Sequence, residues 1–167
     1  MEDSRIPYGR ALRAVGVHLD AQHAASIRVV EVPEGFQIAY VPVQGGLQPE
    51  TLALGFGDIL TPRWESQRRS HRSRIHLGHH RDAPSYEALL RAIGGELDRL
   101  EAYSVLIDEL PEGFVATYQF YNQATGFVLH KGMQSFDRDG ASALIEEAKR
   151  GRGKSGRRPS LLHPVRH

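Results

Sequence analysis

The feature that most constrains this chain is an internal repeat with an offset of 78 residues. Residues 8–40 align with residues 86–118 without a gap, and 15 of the 33 aligned positions are identical. The longest identical run is Pro-Glu-Gly-Phe, at 33–36 and again at 111–114. Two copies are too few for a solenoid. The repeat therefore predicts a pseudo-twofold pair, built like a homodimer fused into one chain.

The second copy indicates the elements of the repeated unit. Apolar residues from Tyr86 to Leu100 recur at helical spacing, which predicts an amphipathic helix that Ser85 can cap. A turn at Pro111-Glu112-Gly113, in which glycine can take φ > 0, separates two apolar runs of strand composition. The predicted strands are 104–110, 114–121 and 127–136. Asp137 or Asp139 can cap a closing helix.

The unit is therefore α-β-β-β-α, and the expected class is α+β with antiparallel sheets. The first copy predicts a helix near 8–24, strands near 26–33, 35–43 and 51–57, and a short helix after Asp58. Gly16 and Gly94 fall inside the helices, where glycine costs about 1 kcal/mol. We expect close packing at these glycines to offset that cost. Each copy is near the lower size limit for independent stability, so the two are expected to share one core.

The chain divides into four segments on this interpretation. The first repeat spans 1–62 and the second spans 85–148. Between them lies a linker rich in histidine and arginine at 63–84, and a basic tail follows at 149–167.

Charge is separated along the chain although the net charge is only +1. Residues 63–81 and 149–167 together hold thirteen basic residues and one acid, a sum of +12, so the remaining chain carries −11. Arginine predominates, and its guanidinium binds phosphate through two parallel hydrogen bonds. The sequence therefore predicts nucleic-acid binding driven by counterion release. The predicted contacts are Arg63, Arg68, Arg69, Arg72, Arg74, Arg81, Lys149, Arg150, Arg152, Lys154, Arg157 and Arg158.

Two other interpretations of the basic segments stay open. They can be solvated linkers with no ligand, or they can fold onto the acidic surface of this chain or of a neighbouring subunit. The alternative function is a protein-interaction module, chaperone-like or adaptor-like, that uses the acidic repeats. The third is a small-ligand or enzyme domain with its site between the repeats.

No catalytic, cofactor or metal site is predicted. The chain has no cysteine, and five arginines around the histidines between His71 and His80 disfavour a cation there. The acids at matching repeat positions, Asp20 with Asp98 and Glu31 with Glu109, suggest structural roles rather than a catalytic dyad. Gly153-Lys154-Ser155 lacks the upstream glycine and strand of a phosphate-binding loop.

The aromatic residues Phe36 and Tyr40, with their counterparts Phe114 and Tyr118, share one face of a predicted strand. They belong to the core if the helices cover that face. If the helices cover the opposite face, they form a platform on which bases can stack. Without an apolar run of spanning length or a signal-like N-terminus, we expect a cytoplasmic protein with no membrane contact. DNA, RNA and a protein partner remain open.

Overall fold

A computed structural model of the chain describes residues 5–43, 48–60, 84–122, 124 and 128–154. The helices are α1 (Tyr8–Ala21), α2 (Phe56–Leu60), α3 (Tyr86–Arg99) and α4 (Arg138–Lys154). The strands are β1 (Ala24–Val32), β2 (Gly35–Pro42), β3 (Glu50–Gly55), β4 (Tyr103–Leu110), β5 (Gly113–Asn122) and β6 (Val128–Asp137). The predicted α+β class is confirmed.

The six strands form one antiparallel sheet in the order β3-β2-β1-β4-β5-β6. Its two halves are three-stranded meanders, and they join where β1 pairs with β4. Only three residue pairs make this junction, with Val29 opposite Ile107 at its centre. The sheet is therefore continuous across the two halves.

The helices cover one face of the sheet and share a single core with it. The strand residues on that face, among them Val29, Ile38 and Ile107, are fully buried. Phe36, Tyr40, Phe114 and Tyr118 lie on the same face and are also buried. The aromatic residues are therefore core, and the interpretation of them as a base-stacking platform is wrong.

Helices α1 and α3 pack against each other at two glycines. A Cβ atom at Gly16 would lie 2.5 Å from the carbonyl oxygen of Tyr86, and one at Gly94 would lie 2.5 Å from that of Tyr8. Each glycine therefore packs directly against the backbone of the first turn of the other helix. The glycines inside α1 and α3 permit this close approach of the two helices. Such close packing was predicted to offset the low helix propensity of glycine.

The predicted Pro-Glu-Gly turns join β1 to β2 and β4 to β5. Gly35 and Gly113 both have φ of 156°. A Cβ atom on Gly113 would lie 2.1 Å from the carbonyl oxygen of Phe136 in β6. The glycine is therefore required by its backbone conformation and by the neighbouring strand together.

Much of the predicted basic sequence lies outside the described residues. The predicted sites Arg63, Arg68, Arg69, Arg72, Arg74 and Arg81 are there, with the histidines from His71 to His80 and, at the other end, Arg157 and Arg158. Helix α4 continues to Lys154, so the first six residues of the predicted tail are helical. No helix within the described ranges is long and apolar enough to cross a membrane.

Candidate functional site at the helix pair

The predicted binding residues that the structure describes lie at the end of α4. Lys149 and Arg150 are exposed there, and Lys149 donates to Glu146 at 2.7 Å. Arg152 and Lys154 belong to the same helix. Four of the twelve predicted residues thus continue one helix that packs on α3 and the sheet.

Two aspartates connect α1 and α3. The carboxylate of Asp20 accepts from the amides of Tyr86 and Glu87 at 2.9 and 3.0 Å. Asp98 accepts in the same way from Tyr8 and Gly9 at 2.7 and 2.9 Å. Each carboxylate, near the C-terminal end of its own helix, therefore satisfies amides that the first turn of the other helix leaves unpaired.

The surroundings of Asp20 shift the pKa of its carboxyl group from the ordinary value. Burial raises its pKa to about 6, although its bonds to the Glu87 and Tyr86 amides act in the opposite direction. The Asp20 carboxylate, which accepts two amides at the start of α3, therefore takes up a proton at a higher pH than an ordinary aspartate.

Two glutamates support the junction of β1 with β4. Beside the three central pairs, β1 shifts register against β2 and β4 shifts register against β5. Glu31 accepts from Val105 at 2.9 Å, and Glu109 accepts from Ile27 at 3.1 Å. Each carboxylate therefore accepts a hydrogen bond from the backbone of the other central strand, beside the three pairs of the β1–β4 junction.

Each of these glutamates also holds a tyrosine at the start of a helix. The Tyr8 hydroxyl donates to Glu31 at 2.5 Å, and the Tyr86 hydroxyl donates to Glu109 at 2.7 Å. Burial, and then the bond to Glu31, raise the pKa of Tyr8. Glu31 and Glu109 thereby fasten helix to sheet, which is a structural task.

An open groove of about 630 Å³ lies between α1, α3 and α4. Small residues, including Gly9, Gly95 and Ala148, form part of its lining. The charged residues of the lining are Arg10, Arg13, Arg91, Glu96 and Glu147. The groove is therefore richer in arginine than in acid, and it lies beside the helix that leads into the basic tail.

The charges of this groove differ in how they are compensated. Arg13 donates to Glu87 at 3.0 Å, and hydrogen bonds from Arg99 hold the pKa of Glu96 below its usual range. The guanidinium of Arg10, in contrast, makes no ion pair with any residue that the structure describes. Arg10 also stands in the first turn of α1, where a cation opposes the helix dipole.

The sequence analysis allowed a site between the repeats, as its third function, but named none of the residues of this groove. Arg13 and Arg91 occupy identical positions in the repeat. Glu87, the partner of Arg13, aligns with Gly9, and Ala88 aligns with Arg10. Where the second copy has Glu87 followed by Ala88, the first copy therefore has Gly9 followed by Arg10.

The sheet face away from the helices carries several exposed apolar side chains. Tyr121, Leu129 and Met133 are 45–72% exposed on β5 and β6, and the ring of Tyr103 packs edge-on against Tyr121. The central ion pair on this face joins Arg28 and Asp108 at 2.6 Å.

The described ranges contain no group of three or more histidines and acids arranged to hold a metal ion. In comparisons with known proteins, the chain matches no family model, no curated protein and no solved structure.

Proposed function

We propose that this protein binds nucleic acid without catalysing a reaction, through the basic segments 63–81 and 149–167. The α+β body is the scaffold from which these segments extend. The proposal places the protein in the cytoplasm, with DNA or RNA as its partner.

The separation of charge is the observation that supports this function best. A sum of +12 lies in two segments, against −11 in the remaining chain, so phosphate is attracted to the segments and repelled elsewhere. Lys149 and Arg150 are exposed on α4, beside the arginine-lined groove. Guanidinium groups on a glycine- and serine-rich segment suit contacts with a phosphate backbone.

We also propose that the scaffold is a tandem duplication with pseudo-twofold symmetry. Its support is that residues with positive φ fall at aligned positions: His23 with Glu101, and Ser26 with Ser104. The reciprocal contacts of Asp20 and Asp98 add to this support. Superposition of residues 8–40 on 86–118 in an experimental structure tests it, and two dissimilar backbones would refute it.

A salt-dependent binding titration tests nucleic-acid binding. The full chain is compared with a variant that carries glutamine at positions 149, 150, 152, 154, 157 and 158, using labelled single- and double-stranded DNA and RNA. For duplexes we expect log K to fall by about 0.9 per log unit of salt for each phosphate contacted. The glutamine variant is expected to bind more weakly with a smaller slope.

The matched control replaces basic residues of the body, Arg28→Gln with Lys131→Gln. These lie on the sheet face away from the helices, and the control is expected to bind as the original chain does. A full chain that fails to bind any of the four nucleic acids at low salt would refute the proposal.

A protein-interaction module is the second candidate function. The exposed side chains of Tyr121, Leu129 and Met133 favour it, since monomeric proteins rarely expose contiguous apolar patches. Such a module would use the acidic body, with the protein partner or a second copy of the chain bound there. Sedimentation of the purified chain tests self-association, and a monomer at every concentration would exclude the second copy.

A further inference from the structure

We propose that the sheet face away from the helices is an interface between two copies of this chain, stacked face to face about a twofold axis parallel to the strands. The inference goes beyond nucleic-acid binding. It rests on the second candidate function and names both the surface and the partner, a second copy. In such a dimer the two sheets form the centre and the helices form the outer layers.

This sheet face departs from the usual alternation of an antiparallel sheet. Where one face of such a sheet packs on a core and the other is solvated, the outward positions are usually polar. Here apolar side chains occupy outward positions in all six strands, and each of them is half-buried or exposed. From one edge of the sheet to the other they include Ala53, Ala39, Val30, Leu106, Val115 and Met133.

The face is also large enough for a stable dimer. Its six strands lie about 4.8 Å apart and are paired over about 20 Å, so the face measures roughly 600 Å² in projection. Projecting side chains make the accessible area larger, close to what each partner of a stable interface buries, about 800 Å². Monomeric proteins rarely expose contiguous apolar patches larger than a few hundred Å².

The register of the strands makes this face complementary to itself in size. One row of outward side chains crosses the sheet from Ala53 in β3, through Val30 and Leu106 at the centre, to Met133 in β6. A twofold axis parallel to the strands reverses this row in the second copy. Met133 of one copy then lies over Ala53 of the other, and Leu106 lies over Val30. The long side chain at one edge therefore meets a small one, as an isologous interface requires.

The neighbouring row is complementary to itself in charge. At its centre Arg28 of β1 is opposite Asp108 of β4, with Nε and Oδ1 2.6 Å apart. The same axis places Arg28 of each copy over Asp108 of the other. Stacked sheets pack about 10 Å apart, a distance that these two side chains span together. The four charges then alternate in sign, so each charge has two partners that offset the cost of burying it.

Sedimentation equilibrium of the full chain tests the proposed dimer. The original chain is expected to sediment with twice the 18.6 kDa mass of one chain. Met133→Lys should raise the dimer dissociation constant at least about 100-fold, because each dimer would bury two lysines that lack a partner. An original chain that is monomeric at every concentration, or a Met133→Lys variant that dimerises as the original does, would overturn the inference.

The matched control is Val128→Lys in the same strand. Val128 is also exposed, at 54% against 72% for Met133. The two residues are five positions apart, so their side chains lie on opposite faces of the sheet. The control is expected to dimerise as the original chain does. Equal weakening by both substitutions would place the contact at the edge of β6 and not on the face, which would contradict the proposal.

Charge exchange tests the centre of the interface. Arg28→Asp and Asp108→Arg each place like charges opposite one another between copies, so each variant alone is expected to be monomeric. An equimolar mixture should form a mixed dimer, in which the aspartates of one chain face the arginines of the other. Far-ultraviolet circular dichroism checks that both variants fold. Two folded variants that do not associate when mixed would refute the proposed stacking.

These measurements involve no nucleic acid, so they are independent of the salt titration that decides the proposed function. A monomeric original chain would leave the second candidate function with a different protein as its partner.

Discussion

At the residue scale, the molecule depends on groups whose partners are distant in sequence. The carboxylates of Asp20 and Asp98 accept hydrogen bonds from backbone amides at the start of the other helix, 66 or more residues away in the sequence. Residue types and helical positions were readable from the sequence, and so was the expectation that these acids are structural. Their partners were not, because the register of α1 against α3 is set by packing at Gly16 and Gly94.

The turn glycine Gly113 allows a direct test of backbone constraint. We expect Gly113→Ala to destabilise the protein by about 2 kcal/mol or more, since the new Cβ would meet the Phe136 carbonyl at 2.1 Å and φ is 156°. Gly57→Ala is the control, because its Cβ has open space and alanine favours a helix. Urea unfolding of both variants measures the difference, and equal stabilities would contradict the turn geometry.

The raised pKa of Asp20 predicts an unusual pH dependence. Its folded-state pKa of about 6 exceeds the ordinary value of 3.8, so between these values the folded state binds more protons than the unfolded state. The contribution of Asp20 to the free energy of unfolding therefore increases as pH falls from 6 to 4, by about 1 kcal/mol per pH unit.

Chemical unfolding between pH 7 and pH 4 checks this, with Asp20→Asn as the reference. The original chain is expected to gain stability relative to the variant as the solution is acidified. A constant difference between the two proteins across this range would show that Asp20 titrates normally.

At the element scale, the sequence predicted most of the described helices and strands, because helical spacing, strand composition and the repeated turns agree. The predicted helix at 8–24 is too long, since α1 ends at Ala21 and His23 takes positive φ before β1. The predicted strand at 51–57 ends at Gly55, and the short helix predicted after Asp58 begins earlier, at Phe56. The sequence analysis did not predict the bulges in β1 and β4, which lie within each half, between β1 and β2 and between β4 and β5.

The α1–α3 contact is tested by two adjacent glycines. Gly94→Ala is expected to destabilise by about 2 kcal/mol, because the Cβ would lie 2.5 Å from the Tyr8 carbonyl oxygen and force the helices apart. Gly95→Ala, one residue later, meets nothing within 4 Å and should stabilise by up to about 1 kcal/mol through helix propensity. Thermal melts of the two variants give the comparison, and a tolerated Gly94→Ala would mean that the helices are farther apart.

At the scale of the whole molecule, one core spans both halves of the chain. The sequence anticipated a shared core from the small size of each repeat, and it anticipated the class. It did not predict which strands pair across the two halves or which residues line the groove. Both arise where α1 meets α3 and β1 meets β4, and no local pattern encodes those contacts.

A shared core predicts that the described halves unfold together. We expect a single calorimetric transition whose calorimetric and van't Hoff enthalpies agree. Two separate transitions would indicate halves that fold independently.

The junction of β1 with β4 also affects how fast the molecule assembles. Val29 and Ile107 pair although 78 residues separate them in the chain. The first-turn amides of α3 likewise donate to a carboxylate of α1. Loop closure must therefore precede the contacts that reward it, and a large mean sequence separation of contacts slows folding. During synthesis, the first meander emerges with β1 as an unpaired edge, which leaves it open to pairing with another nascent chain until β4 arrives.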